Sequence, residues 1–404
     1  MTSPISSWNA QTRHVIAVWN ELTPYRLHIM RRLRDELPDV RVCHVFTHSL
    51  GGLSSPWTVE RDPTLDIDYP EALRIPKLNQ FYHPRWRALS RHVLGLVEAL
   101  DPAFVLMAGH NDLARIAMCR ALRRRRVPIV HCCDANIFSR RGTLSPRRAL
   151  SNAYTKFILG RMDAFMPMGT AGRAYYAYFG GAEKPTFLFP YEPDYRLLAS
   201  CDPAQVREFR RSFGLDEGRR RFLYSGRLID VKRVDVLLKA FIRVAGRLPH
   251  WDLVIAGQGP LEAELKAMVP PALSPRVRFL GFMQFDRLRI AYHACDVLVH
   301  PSAHEPWGLI INEAIASGMP VIASNVTGAA IDLVRDRVNG LLVRPGSVDE
   351  LADAMMLASD DGARTQLARR APSVLADWIA SADPVDGFRR AVEHFSAPRA
   401  TPDS

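Results

Sequence analysis

Along most of this chain, short apolar runs alternate with stretches whose apolar residues recur every three or four positions. The first kind has the length of a buried strand, and the second presents the single apolar face of an amphipathic helix. In the N-terminal half the strand-like runs lie at 14–18, 40–46, 104–107, 127–132 and 164–168, with helical stretches at 27–36 and 86–100. A second series at 222–224, 253–256, 277–280, 297–300, 321–323 and 341–343 repeats the scheme. Strands separated by helices make parallel sheets covered on both faces, so the fold class is α/β, as two Rossmann-like doubly wound parallel-sheet domains facing a central cleft. A length of 404 residues suits two such cores. The proline-flanked stretch 189–194 is the expected boundary, giving domains at 1–190 and 191–380. A last helix is expected over 381–396, and 397–404 reads as a disordered tail.

The densest chemistry lies in the second series. Residues 296–301 read as a strand, 302–307 as a turn with proline, and 308–317 as a helix with Ile310, Ile311, Ala314 and Ile315 on one face, stopped by Gly318 and Pro320. This unit places Glu305 and Glu313 eight residues apart. Ligands of parallel sheets sit beyond the carboxyl ends of the strands, so Glu305 and the N–H groups of Gly308, Leu309 and Ile310 face that crevice, and the helix start favours an anion. Glu313, further in, is placed to accept hydrogen bonds from vicinal hydroxyls such as those of a ribose, leaving Glu305 to hold a sugar. Alone, two such glutamates are surface charges that suit the helix dipole. Upstream, however, a strand and glycine turn carry Arg227 and Lys232 five residues apart before a helix at 234–248. Cations at a helix start oppose the dipole, and a bound pyrophosphate removes the conflict. Lys232 and Glu305 are both expected to be exposed in the cleft, so that replacing either by alanine stops turnover with little loss of folding.

The order and spacing of these segments resemble the family 4 glycosyltransferases, also called glycosyl transferases group 1, which have the two-domain GT-B fold. The matching segments are Gly226-Arg227-Leu228 with Lys232, Ile255-Ala256-Gly257-Gln258-Gly259-Pro260, Phe279-Leu280-Gly281-Phe282, Pro301-Ser302 with Glu305 to Glu313, Gly318-Met319-Pro320-Val321-Ile322-Ala323, Val338-Asn339-Gly340-Leu341-Leu342-Val343 and Pro345-Gly346. The resemblance implies that Arg227 and Lys232 hold a donor diphosphate, Glu313 the ribose, and Glu305 the transferred sugar with the Gly308 to Ile310 backbone. Gly257 and Gly259 would shape the nucleotide floor, and Gly281 and Phe282 would lie along the base. It further implies an N-terminal acceptor domain, a C-terminal donor domain, a last helix crossing back to the first domain, and transfer with retention of anomeric configuration. No cofactor is implied beyond the nucleotide-diphosphate sugar, and no metal, since two cations neutralise the leaving group and no D-x-D motif is placed to bind one.

His110, at a carboxyl strand end, stands where relatives carry a histidine that meets the donor sugar, which completes a catalytic set of Glu305, Arg227, Lys232 and His110. A lone histidine is also commonly structural. On the acceptor side the chain departs from the family: Tyr25 and Arg26 follow a proline where a glycine pair is usual, and Asp134 ends another strand. Arg26 reads equally as a surface arginine, and Asp134 as a turn or cap residue. The implied function is transfer of a sugar to a glycan or lipid-linked acceptor in cell-envelope polysaccharide or glycolipid assembly. The competing functions are a nucleotide-sugar epimerase of the same fold and a noncatalytic nucleotide-sugar-binding relative.

Charge refines the partners. Residues 1–200 hold 27 Lys and Arg against 17 Asp and Glu, whereas 201–404 hold 26 against 25. The dense runs Arg123 to Arg126, Arg140-Arg141 and Arg147-Arg148 fit either solvated helix faces or docking to an anionic membrane surface. Nucleic acid is disfavoured, because few aromatics are interleaved with these arginines. The six cysteines show no paired framework or C-x-x-C spacing, and 1–12 lacks the pattern of a signal peptide. The expected location is therefore cytoplasmic, and the arginine runs leave open peripheral contact to the inner face of the membrane.

Overall fold

The computed structural model describes residues 12–48, 57–75, 81–110, 112–140 and 145–397, and forms two six-stranded sheets. The first contains β1 (Arg13–Trp19), β2 (Val40–Phe46), β3 (Ile67–Asp68), β4 (Phe104–Ala108), β5 (Ile129–Cys133) and β6 (Ala164–Pro167), in the order β3-β2-β1-β4-β5-β6. The second contains β7 (Arg220–Ser225), β8 (Trp251–Ala256), β9 (Val277–Gly281), β10 (Val297–His300), β11 (Val321–Ser324) and β12 (Gly340–Val343), in the order β12-β11-β10-β7-β8-β9. Every pairing is parallel, so the expected doubly wound architecture is what forms. In each sheet the order reverses beside the first strand, at β1/β4 and at β7/β10, and a crevice opens at such a point.

Differences from the sequence expectation lie at element ends. Strands run past their apolar cores into Arg13, Arg220 and Arg221, because ladder hydrogen bonds do not depend on side-chain polarity. The first helix begins at Pro24 rather than 27, with proline at its first position, where a missing N–H costs nothing. The helix expected to reach 248 ends at Val244. β3 has only two residues, too short for a readable period.

Strands buried on both faces split their side chains between two layers: Val15 and Ala17 pack on one side of the first sheet, Ile16 and Val18 on the other. The Pro384–Ser396 helix, last among the described residues, sends Val385, Phe388, Ala391 and Val392 into the first domain's core. Its Phe388 ring lies 5.7 Å from that of Phe104. This approach requires a glycine at 387, since a Cβ there would sit 1.8 Å from Leu188 O. Arg32 pins the two segments that pass between the domains, reaching Glu192 at 2.6 Å and Asp383 at 2.8 Å. The expected disordered tail lies outside the described residues from 398 onward, and of the arginine runs so do the side chain of Arg140 and all of Arg141.

All six cysteines are free thiols. Burial pushes Cys43, Cys119, Cys132 and Cys295 up to about 12, so they behave as core atoms. Among the described residues no helix is long and apolar enough to cross a membrane.

Candidate active site

The loops that follow the switch-point strands converge on one cleft. Its larger cavity, about 1340 Å³, is lined from the second domain by Arg227, Gly257, Gly259, Phe282, Leu309, Ile310 and Glu313, and from the first by Tyr25 and Trp57, among others. Gly257 has φ 156° and lies so close to the loop after β7 that a Cβ would stand 1.8 Å from Gly226 O. At Gly259 a Cβ would stand 2.4 Å from Leu228 O. The two glycines thus press the loops after β7 and β8 together, which fixes where Arg227 emerges. Gly281 accepts the Gly257 N–H at 2.8 Å and supports the floor from behind. Gly308, with φ 90°, turns the chain into the Leu309–Ala316 helix.

Glu313 is only 6% exposed and accepts a hydrogen bond of 2.5 Å from the Tyr292 hydroxyl. Burial raises its carboxyl to about 7, a shift that the Tyr292 hydrogen bond partly offsets.

Lys232 and Glu305 depart from expectation. They form an ion pair with each other, and their side chains are 14% and 13% exposed instead of standing free in the cleft. The physical reason is loop docking: Ala303 N donates to Val231 O at 2.8 Å, which folds the turn after β10 onto the turn after β7. His300 Nε2 lies 3.2 Å from the same carboxylate. Burial would raise the Glu305 carboxyl, yet Lys232 and His300 outweigh it and hold it at about 2, so it is a permanent anion. Arg227, by contrast, is exposed in the cleft.

A smaller cavity of about 730 Å³ adjoins, lined mainly by the first domain, with Trp19, Tyr25, Arg26, His110, Asp134 and Tyr154 in its wall. Arg26 stacks over Trp19 at 5.4 Å and donates to the Tyr191 hydroxyl at 3.3 Å, so it is held in the cavity wall and is not a surface arginine. His110 Nδ1 lies 3.1 Å from His131 Nε2, and His131 Nδ1 lies 2.9 Å from the Tyr176 hydroxyl. Burial holds His131 well below the ordinary histidine range, so this chain behind His110 is neutral. Asp134 opens into the cavity, yet the surrounding walls raise its carboxyl. Tyr25, Trp57 and Arg227 line both cavities and mark their junction.

Several site residues escaped sequence reasoning. Trp57 packs edge-on against Phe282 at 5.3 Å across the cleft, and Thr58 N donates to Gln284 Oε1 at 3.2 Å. Tyr191 and Tyr292 gave no signal beyond being aromatic. Asn136, which bonds the Glu305 loop, had only its place just past a strand end as a cue.

Residues 205–374 match the family model described as glycosyl transferases group 1. The match takes in most of the second domain. Similar proteins include an uncharacterized glycosyltransferase of Methanocaldococcus jannaschii, 36% identical over 36% of this chain and 37% of its own. A 2-deoxystreptamine glucosyltransferase of Streptomyces kanamyceticus is 32% identical over 50% of this chain and 52% of its own. A lipopolysaccharide core biosynthesis mannosyltransferase of Rhizobium meliloti is 30% identical over 55% and 62%. The chain thus spans about half the length of the curated relatives it matches. Over 95% of the chain, the fold is shared with Anabaena HepE in complex with UDP and glucose, with a TM-score of 0.69 and 20% identity over 99% of that chain. The architecture is GT-B.

Proposed function

We propose that the protein is a retaining glycosyltransferase that moves a sugar from a nucleoside-diphosphate sugar to a glycan or lipid-linked acceptor. The observation that carries this reading is the position of Arg227, which lines the nucleotide-sized cavity and the smaller cavity at their junction. The donor occupies the larger cavity, with its ribose at Glu313 and its base along Phe282. The bound UDP of the HepE structure supports a nucleotide ligand for this fold. The acceptor occupies the smaller one, where aromatic rings and mixed polar groups suit a polyhydroxylated ring.

In the reaction the acceptor hydroxyl oxygen bonds to the anomeric carbon as the bond to the diphosphate breaks, and the hydroxyl proton passes to the departing diphosphate. Negative charge grows on the departing oxygens, and the work of this chain is to stabilise it. Arg227 offers a forked donor, the Lys232 ammonium retains hydrogens beyond the one given to Glu305, and the N–H groups that open the Leu309–Ala316 helix add a fixed positive field. These groups do the neutralising work, and a metal is not part of the proposed reaction. Glu305, anionic throughout, orients the transferred sugar from one side and His110 from the other.

The Pro146–Leu159 helix suggests where a lipid-linked acceptor would arrive. Ser151, Tyr154 and Thr155 line the smaller cavity, while Leu150 (73% exposed) and Phe157 (52%) stand outside it beside Arg147 and Lys156. An anionic membrane surface complements this rim, which supports a cytoplasmic enzyme working at the membrane in envelope assembly.

The test is incubation with a panel of nucleotide sugars, with release of nucleoside diphosphate followed with and without acceptors. Release from one donor, lost in Arg227→Ala, is the expected result. No release from any donor, or full activity in that variant, would overturn the reading.

A further inference from the structure

Asn136 belongs to the first domain, just past β5, and its side chain is buried. Its Nδ2 donates to two carbonyls of the second domain, Glu305 O at 2.8 Å and Pro306 O at 3.0 Å. Only the NH₂ end of the amide can meet two carbonyl oxygens, so chemistry fixes its orientation. From the other side Glu305 O accepts the Gly328 N–H of its own domain at 3.2 Å. The surroundings leave no slack. A Cβ on Gly328 would stand 2.3 Å from Pro306 O, and one on Gly169 would stand 2.1 Å from Asp332 Oδ2 and 2.8 Å from the Trp307 ring. A second strut joins the domains beside this contact, where Thr170 N donates to Asp332 Oδ2 at 3.0 Å.

From this juxtaposition we infer that Asn136 is a positioning residue: it fixes the Glu305 peptide from the opposite domain, so that this carboxylate takes its working geometry only when the two domains are docked as seen here. The inference rests on the proposed role of Glu305 at the transferred sugar. It goes beyond that role in making the acceptor domain a structural part of the donor site. Lys232 and His300 hold the Glu305 side chain, whereas its main-chain carbonyl is held by Gly328 and Asn136. Losing one of the two hydrogen bonds to that carbonyl lets the peptide shift, and a misplacement of about 1 Å costs on the order of 10²-fold in turnover.

The test uses Asn136→Leu and Asn136→Asp, which keep the side chain's size and remove its two donated hydrogen bonds. With the accepted nucleotide sugar, kcat should fall about 10²-fold, while affinity for the free nucleoside diphosphate, measured by calorimetry, stays within about twofold. In the same variants hydrogen exchange should quicken at the Gly328 and Ala329 amides, which bond Glu305 O and Trp307 O. Unchanged kcat and exchange in Asn136→Leu would overturn the inference, as would equal losses of turnover and nucleotide affinity, the mark of a general loosening. If the unaltered protein turned over no nucleotide sugar, the proposed function would fail, and the exchange measurement alone would still decide whether Asn136 holds this loop.

Discussion

Lys232 and Glu305, separated by 73 positions in the chain, meet as an ion pair where the turns after β7 and β10 dock, with side chains 14% and 13% exposed. Removing Glu305 leaves the largely shielded Lys232 without its counter-charge, and removing Lys232 leaves the Glu305 carboxylate with only His300 of the two side chains that hold it. Lys232→Ala should therefore lower stability by about 3–5 kcal/mol as well as stop turnover. Urea unfolding of the single variants and of the Lys232→Met, Glu305→Gln double variant checks this, because the double variant should lose less than the sum of the singles. The sign with pH is fixed too. A carboxyl held at about 2 against an ordinary 4.5 contributes stability above pH 4.5, and that contribution is lost as pH falls through 2.

Glu313 titrates in the opposite sense. Its carboxyl is raised to about 7 from 4.5, so its ionisation penalises the fold, and stability falls as pH rises from about 4.5 to about 7. Ribose hydroxyls donate best to the ionised form. The KM for the nucleotide sugar should therefore drop about tenfold between pH 6 and pH 8, following the ionised fraction. Glu313→Gln should give a flat and weaker profile; a pH-dependent KM persisting in that variant would remove Glu313 from the donor site.

Arg227 stands exposed in the cleft, in contrast to the Lys232–Glu305 pair. Arg227→Ala should leave the unfolding midpoint almost unchanged while weakening nucleoside diphosphate binding by about 10- to 100-fold, the range for one lost charged hydrogen-bonding group. Calorimetric titration with the diphosphate, and with the nucleoside as a phosphate-free control, separates this from damage to the base and ribose contacts.

The rim helix gives a test of membrane contact. Vesicles with anionic lipid should sediment the protein, neutral vesicles should not, and salt should weaken the association as it screens charge. Leu150→Glu with Arg147→Glu should reduce binding several-fold, at about 1 kcal/mol per basic residue, without changing turnover of a soluble acceptor. Equal sedimentation with neutral vesicles would argue for adsorption unrelated to this rim.

With Phe282 added by the family resemblance, the two sheets, their switch-point loops and the convergence of Arg227, Leu309, Ile310 and Glu313 on one cavity were legible in the chain itself. Each depends on a local signal: the period of apolar residues places a strand, and a glycine or proline just past it marks the loop that ends up at the sheet's carboxyl edge. Local signals do not specify what a loop meets. The capture of Lys232 by Glu305 follows from how two loops of the finished second domain dock, and the reach of Asn136 across 169 positions to the Glu305 peptide and the contact of Trp57 with Phe282 follow from how the two domains meet. Protonation belongs to the same class. Glu305 and Glu313 lie eight residues apart in one strand–turn–helix unit, yet one is held at about 2 and the other at about 7. Both are largely shielded from solvent, and what separates them is the company each keeps, a lysine and a histidine for one and a tyrosine hydroxyl for the other, which only the folded arrangement supplies.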